Sequence, residues 1–130
     1  MDSVQFRIAR PTTKLKQVVD FYTQALKLPK LGLFSDHANY DGVMIGLPDS
    51  KYHLEFTYNP NTTNIPSPTP ENLLVFYYLD PGKYKLATDS LSNHGHSPVE
   101  PENPYWQDKS LTYEDPDGWR VVLVNGTYQP

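Results

Sequence analysis

The stretch SLTYEDPDGWRVVLVN, residues 110–125, contains two runs rich in β-branched and aromatic residues on either side of the tetrapeptide DPDG. Such runs favour β-strands, while Asp, Pro and Gly favour the tight turn between them. The stretch therefore predicts a β-hairpin near the C-terminus. We interpret Asp115 and Asp117 as turn-forming residues rather than as catalytic or calcium-binding carboxylates.

The residues before the hairpin predict a strand and a helix. The run LLVFYYL at 73–79 has the composition of a strand, and residues 80–95 follow with Asp80 as a helix cap and Pro81 in the first turn. A proline-rich loop then leads to about three strands, of which the last two form the hairpin. The predicted order of elements in this half is βαβββ.

The first half has the same predicted order. The run VQFRIAR at 4–10 predicts a strand, and residues 11–28 predict a helix because their apolar residues recur at helical spacing. That apolar stripe consists of Leu15, Val18, Val19, Tyr22 and Leu26. Three strand-like runs follow, at 31–36, 42–48 and 52–58. The two halves predict an α+β fold.

The last of these runs, YHLEFTY, alternates between apolar and polar residues. Leu54 and Phe56 are expected on one face of the strand, with His53 and Glu55 on the other. The segment 59–71 then contains four prolines and no periodicity, which is typical of an extended linker. We therefore expect a single domain over residues 1–130, made of a first module at 1–58, a linker at 59–71 and a second module at 72–126.

The composition limits the classes of partner. The chain has 130 residues, a formal net charge of -4 and no cysteine. The acidic balance argues against nucleic acid and anionic membranes as partners. No apolar run approaches the length of a membrane span, and the N-terminus lacks the layout of a secretion signal. The expected location is the cytoplasm, and disulfides and thiolate metal sites are excluded because there is no cysteine.

Two βαβββ modules, with DFYTQAL at 20–26 and YEDPDGWRVVLV at 113–124, resemble the vicinal oxygen chelate superfamily, which includes glyoxalases, bleomycin-resistance proteins and extradiol dioxygenases. The resemblance implies a curled, cup-shaped mixed β-sheet with the helices outside and a small molecule bound in the cup. It also implies a homodimer, because members of this superfamily commonly pair modules between chains.

The resemblance further implies four metal-ligand positions, two in each module. They correspond to Arg7, Glu55, Leu74 and Val122 of this sequence. Arginine stays protonated and cannot bind a cation, and leucine and valine have no donor atom. We therefore expect neither the divalent metal of the superfamily nor another cofactor. The guanidinium of Arg7 is expected to meet Glu55 in place of the metal's charge.

The predicted site takes its residues from both modules. Glu55 is the candidate catalytic residue, and the candidate ligand-binding residues are Arg7, His53, Phe76, Tyr78, Tyr105, Trp106 and Arg120. Phe76 and Tyr78 are expected to share the face of Leu74, and Arg120 the corresponding face with Val122. Such a set suits a small organic molecule that is planar or anionic. Aromatic residues in strands also fill cores, and an Arg–Glu pair also serves as a plain salt bridge, so both interpretations stay open.

Three functions fit these expectations. The first is a protein that binds a small organic ligand in its cup without a metal. The second is a lyase, isomerase or dioxygenase that uses Glu55 as a general base or a rearranged metal site with His53. The third is an interaction module whose cup is filled by its own side chains.

Overall fold

The computed structural model describes residues 5–129. The chain divides into two compact units, and the boundary between Pro66 and Ser67 lies inside the proline-rich segment 59–71. Across the described residues, no helix has the length and apolar character needed to span a membrane.

The first unit contains one helical segment and a four-stranded sheet. Its elements are β1 (Phe6–Pro11), α1 (Leu15–Asp20), a π-helical turn (Phe21–Ala25), β2 (Lys30–His37), β3 (Tyr40–Ile45) and β4 (Tyr52–Tyr58). The strand order is β1-β4-β3-β2. The pair β1–β4 is parallel and the other two pairs are antiparallel, so the sheet is mixed.

The apolar stripe of the helical segment packs on one face of this sheet. Tyr22 is fully buried, and its ring stacks on Phe56 of β4 at a centroid distance of 4.9 Å. Leu54 and Phe56 are both 2% exposed, which confirms the predicted apolar face of β4. Arg10 of β1 lies on the same side, where its Nη2 donates to the Tyr22 hydroxyl at 2.9 Å. This face is the core of the first unit.

The helical segment differs from the prediction at both ends. Pro11 belongs to β1, and the helix begins only at Leu15 after Thr12 Oγ1 has accepted a hydrogen bond from the Lys14 amide. After Asp20 the helix widens, with the Leu26 amide donating to the Phe21 carbonyl five residues earlier. Apolar spacing cannot distinguish a π-helical turn from a regular helix, because both keep the stripe on roughly one side.

The second unit contains a three-stranded sheet and a longer helix. Its elements are β5 (Leu73–Tyr78), α2 (Pro81–Asn93), a 3₁₀ turn (Pro104–Gln107), β6 (Ser110–Glu114) and β7 (Arg120–Asn125). The strand order is β5-β7-β6, with β5–β7 parallel and β6–β7 antiparallel. Asp80 caps α2 as predicted, because its Oδ1 accepts from the Gly82 amide at 2.8 Å.

The second unit is the βαβββ module in a reduced form. Where the first of three strands was expected after α2, the described chain makes a single bridge between Val99 and Thr112. Pro98 and Pro101 flank this bridge, and proline cannot donate to a ladder, so pairing stops there. With this reduction, the two units have the predicted α+β fold of two βαβββ modules.

The hairpin between β6 and β7 is a structural turn. Asp115 is 5% exposed, and its Oδ1 accepts from the amides of Asp117 at 2.9 Å and Trp119 at 3.0 Å. Gly118 has a φ of +86°, a conformation in which a side chain is strained. These contacts confirm that the carboxylate of Asp115 forms the turn.

Candidate functional site

A cluster of three polar side chains lies on the face of the first sheet opposite α1. Strands β1 and β4 run parallel, and Arg7 of β1 pairs in register with His53 of β4. Glu55 is two residues further along β4, so its side chain projects from the same face. We call Arg7, His53 and Glu55 the Arg7 cluster.

The guanidinium of Arg7 contacts both other residues of the cluster. Its Nε donates to His53 Nε2 at 2.8 Å, and its Nη1 lies 3.2 Å from Glu55 Oε2. The predicted contact between Arg7 and Glu55 is therefore confirmed, although the two side chains come from neighbouring strands of one sheet. His53 is 9% exposed, and the side chains of Glu55 and Arg7 are 14% and 46% exposed. The cluster has a buried base and an accessible cation.

The hydrogen bond from Arg7 selects one tautomer of the neutral His53 ring. Because Nε2 accepts, its lone pair faces the guanidinium, and the proton of the neutral ring is on Nδ1. The Glu55 carboxylate likewise directs one oxygen at Arg7. His53 Nε2 and Glu55 Oε2, which a metal ion could otherwise use, are thus already engaged by a permanent cation.

The cluster does not fit the divalent metal implied by the superfamily. Such an ion needs three or four nitrogen or oxygen donors that converge on it. Within residues 5–129, no three His, Asp or Glu side chains are grouped so that they could hold an ion. A cation placed near His53 and Glu55 would also meet the positive charge of Arg7.

The strands beside the cluster add apolar surface to the same face. Met44 of β3 pairs with Glu55 in register, and Gly42 pairs with Phe34 of β2. The Phe34 ring lies over Gly42 so closely that a Cβ at position 42 would be 2.3 Å from it. Met44 on β3 and Phe34 on β2 therefore provide carbon surface on the face of the sheet that carries Glu55.

Phe76 and Tyr78 share the face of Leu74 in the second unit, as expected, but that face does not carry Val122 and Arg120. Phe76 pairs with Leu123 of β7, while Val122 and Arg120 lie on the opposite face of the sheet. Tyr78 faces α2, where its ring meets Tyr84 edge-on at 6.1 Å. Successive residues of a strand alternate between faces, so an alignment displaced by one residue assigns every side chain to the wrong face.

The same one-residue displacement applies to Leu74, which the resemblance aligned with a metal ligand. Leu73, rather than Leu74, shares the face of Val122, because Leu73 pairs with Arg120 and Leu74 with Val121. Leu73, like Leu74, is an apolar residue. The second unit therefore offers no donor atom at the positions that correspond to a ligand.

Arg120 makes structural contacts in the second unit. Its Nε donates to Glu114 Oε2 at 3.1 Å and its Nη1 to the Glu100 carbonyl at 3.0 Å. The side chain is 13% exposed. Arg120 thus ties the loop after α2 to the hairpin.

A cleft of about 170 Å³ opens beside this loop. Its walls include Leu73, Pro101, Trp106 and Thr112, and carboxylate residues Glu71 and Glu102 also line it. Tyr105 and Trp106 were both predicted ligand-binding residues, and of the two only Trp106 lines the cleft. Tyr105 is 70% exposed and meets the Trp106 ring edge-on at 4.9 Å. The sequence gives no signal for Thr112, which looks like any other residue of an alternating strand.

Family profiles match both units. The YycE-like N-terminal domain matches residues 6–57, and the YycE-like C-terminal domain matches residues 71–125. The chain is 47% identical to the YycE protein of Bacillus subtilis over 123 residues, which are 95% of this chain and 88% of that protein.

Solved structures agree with these matches. A crystal structure of Bacillus subtilis YycE, a protein of unknown function, has a TM-score of 0.89 and 46% identity, covering 98% of this chain and 93% of that one. The fosfomycin resistance protein FosX of Mesorhizobium loti has a TM-score of 0.69 at 11% identity, and the match covers 98% of this chain and 94% of that one. TnmS3, an antibiotic-binding protein from Streptomyces sp. CB03234, has a TM-score of 0.69 at 17% identity, covering 98% of both chains.

The likenesses to FosX and TnmS3, at 11% and 17% identity, show the fold alone. The likeness to YycE, at 46% identity, extends to the sequence. The chain therefore belongs to the YycE-like family and has the fold of the glyoxalase, bleomycin-resistance and fosfomycin-resistance proteins of the vicinal oxygen chelate superfamily.

Proposed function

We propose that the protein binds a small anionic organic molecule at the Arg7 cluster and does so without a metal ion. The observation that carries this proposal is the way Arg7 is held. Its Nε and Nη1 are engaged by His53 and Glu55, while its Nη2 bonds to no residue within 5–129 and the side chain stays 46% exposed. A fixed guanidinium with an open edge is suited to an anion.

The chemistry of the guanidinium favours a planar or tetrahedral oxyanion. Arginine presents its N–H groups as a rigid fork that matches the oxygens of carboxylates and phosphonates. Because His53 and Glu55 already orient the fork, little conformational entropy is lost when a ligand binds. Charge-assisted hydrogen bonds of this kind contribute about 1.5–3 kcal/mol each.

The neighbouring side chains favour an organic anion over a simple inorganic one. Met44 and Phe34 offer carbon surface on the same face, and a ligand with an apolar group would bury part of it. Glu55 also has an acceptor oxygen for a hydroxyl group of the ligand.

One protein of this fold supports binding as the activity. TnmS3 is an antibiotic-binding protein. Sequestration of a small molecule needs only a site of matching shape and charge. We therefore propose binding, rather than a metal-dependent lyase or dioxygenase reaction, for the Arg7 cluster.

Calorimetric titration with fosfomycin, methylphosphonate and phenylphosphonate tests this proposal. We expect phenylphosphonate to bind more tightly than methylphosphonate, and Arg7→Gln to weaken binding by about tenfold or more because a charge-assisted contact is lost. Arg120→Gln is the matched control, since it removes an arginine that is engaged by Glu114 and Glu100. Equal affinity in the wild type and Arg7→Gln, or no binding of any of the three anions, would refute the proposal.

A further inference from the structure

Thr112, a residue that lines the cleft of the second unit, carries a buried polar atom without a partner. Thr112 is 2% exposed. Within the described part of the chain, its Oγ1 is buried and makes no hydrogen bond. A buried hydroxyl without a partner costs about 1–3 kcal/mol. A group from a bound molecule would remove that cost.

The wall of the cleft opposite the sheet is held in place by its own hydrogen bonds. The Trp106 amide donates to the Asn103 carbonyl at 3.1 Å, and Ser110 Oγ donates to the Trp106 carbonyl. Gln107 Nε2 donates to Glu100 Oε1 at 2.8 Å, and Arg120 binds the Glu100 carbonyl. The indole of Trp106 is therefore presented by a fixed turn, as a binding wall requires.

The shape of the cleft suits one aromatic ring. Its volume is about 170 Å³, and an apolar cavity of roughly 150 Å³ accepts benzene in another protein. Leu73, Pro101 and Trp106 supply apolar walls, and the indole offers a face or an edge to a planar molecule.

The charge of the cleft disfavours the anions proposed for the Arg7 cluster. Glu71 and Glu102 both line it, and no lysine or arginine among residues 5–129 does. The nearby guanidinium of Arg120 is paired with Glu114. Carboxylates lining a partly enclosed cleft favour a cationic or neutral occupant and disfavour a negative one.

We propose that this cleft is a second binding site, for a small planar amine or amidine that stacks on Trp106 and hydrogen-bonds to Thr112 Oγ1. The site goes beyond the proposed function, because it selects the opposite charge with residues of the second unit alone.

Fluorescence of Trp106 tests the proposal with benzamidine as the probe and benzoate as an anion of the same shape. The chain has two tryptophans, so Trp119→Phe leaves Trp106 as the single reporter. We expect a saturable change with benzamidine and at least tenfold weaker binding of benzoate. In the same background, Thr112→Val should weaken benzamidine binding roughly threefold to tenfold, since one neutral hydrogen bond is lost.

Thermal unfolding distinguishes this role from a structural one. Valine has the shape of threonine, and removing a hydroxyl without a partner should leave the melting temperature equal or higher. Unchanged benzamidine affinity in Thr112→Val, equal binding of benzoate, or no saturable change would overturn the proposal. Arg7→Gln should leave benzamidine binding unaltered, so failure here and failure at the Arg7 cluster are separate results.

Discussion

At the scale of single residues, Asp115 is a buried carboxylate whose acceptor capacity is used by its own turn. One carboxylate oxygen accepts hydrogen bonds from the amides of Asp117 and Trp119. Loss of the side chain, which is in a residue only 5% exposed, therefore leaves these two backbone donors without that acceptor. We expect Asp115→Ala to lower the free energy of unfolding by about 2–3 kcal/mol, and Asp115→Asn by less, because asparagine keeps an acceptor oxygen. Urea denaturation of the three proteins measures this, and equal stability of Asp115→Ala and the wild type would contradict it.

Residue identities predicted one half of the candidate site and misplaced the other. His53 and Glu55 could be placed on one face of β4 because its polar and apolar residues alternate. The position of Arg7 opposite them follows from the resemblance. Phe76 and Tyr78 lie on the opposite face of the sheet from Val122, because LLVFYYL is apolar on both sides and its pattern does not show which face meets the helix. Only the pairing of Leu73 with Arg120 shows this.

At the scale of elements, α2 packs over Tyr113 of β6. Tyr113 is 2% exposed, and burial raises the pKa of its hydroxyl to about 12, with Tyr84 and Asp89 of α2 adding to the shift. The folded state therefore keeps a proton that the unfolded chain loses near pH 10. Its contribution is fully present below pH 10 and is lost as the pH rises towards 12.

We expect the free energy of unfolding to fall between pH 10 and 12, with Tyr113 accounting for about 1.4 kcal/mol per pH unit. Urea unfolding at several pH values should give a shallower decline for Tyr113→Phe than for the wild type. Tyr128→Phe is the control, because Tyr128 is 66% exposed. Parallel profiles for the wild type and Tyr113→Phe would show that the burial of Tyr113 under α2 has no such effect.

The order of elements was predictable, but two of their details were not. The capped start of α2 follows from Asp80 and Pro81, whose side chains determine local backbone geometry. The π-helical turn at Phe21–Ala25 keeps the apolar stripe on one side, so the apolar spacing does not reveal it. The bridge at Val99 pairs with Thr112, and a local pattern does not show how far that pairing extends.

At the scale of the whole molecule, the two units repeat one order of elements with different chemistry on corresponding strands. The first unit has Arg7 and Glu55 where the second has Leu73 and Val122. We propose that the Arg7 guanidinium stands where a metal-binding protein of this fold would hold a cation, and that the cluster binds anions rather than a metal ion.

The most direct test is the metal content of the protein after incubation with nickel, zinc, manganese and iron, followed by desalting and mass spectrometry. The wild type and Glu55→Ala are compared, because Glu55 is the one carboxylate of the Arg7 cluster. We predict that neither protein retains metal above a small fraction of one ion per chain. Retention of one ion per chain in the wild type, lost in Glu55→Ala, would contradict the proposal that the Arg7 cluster binds no metal.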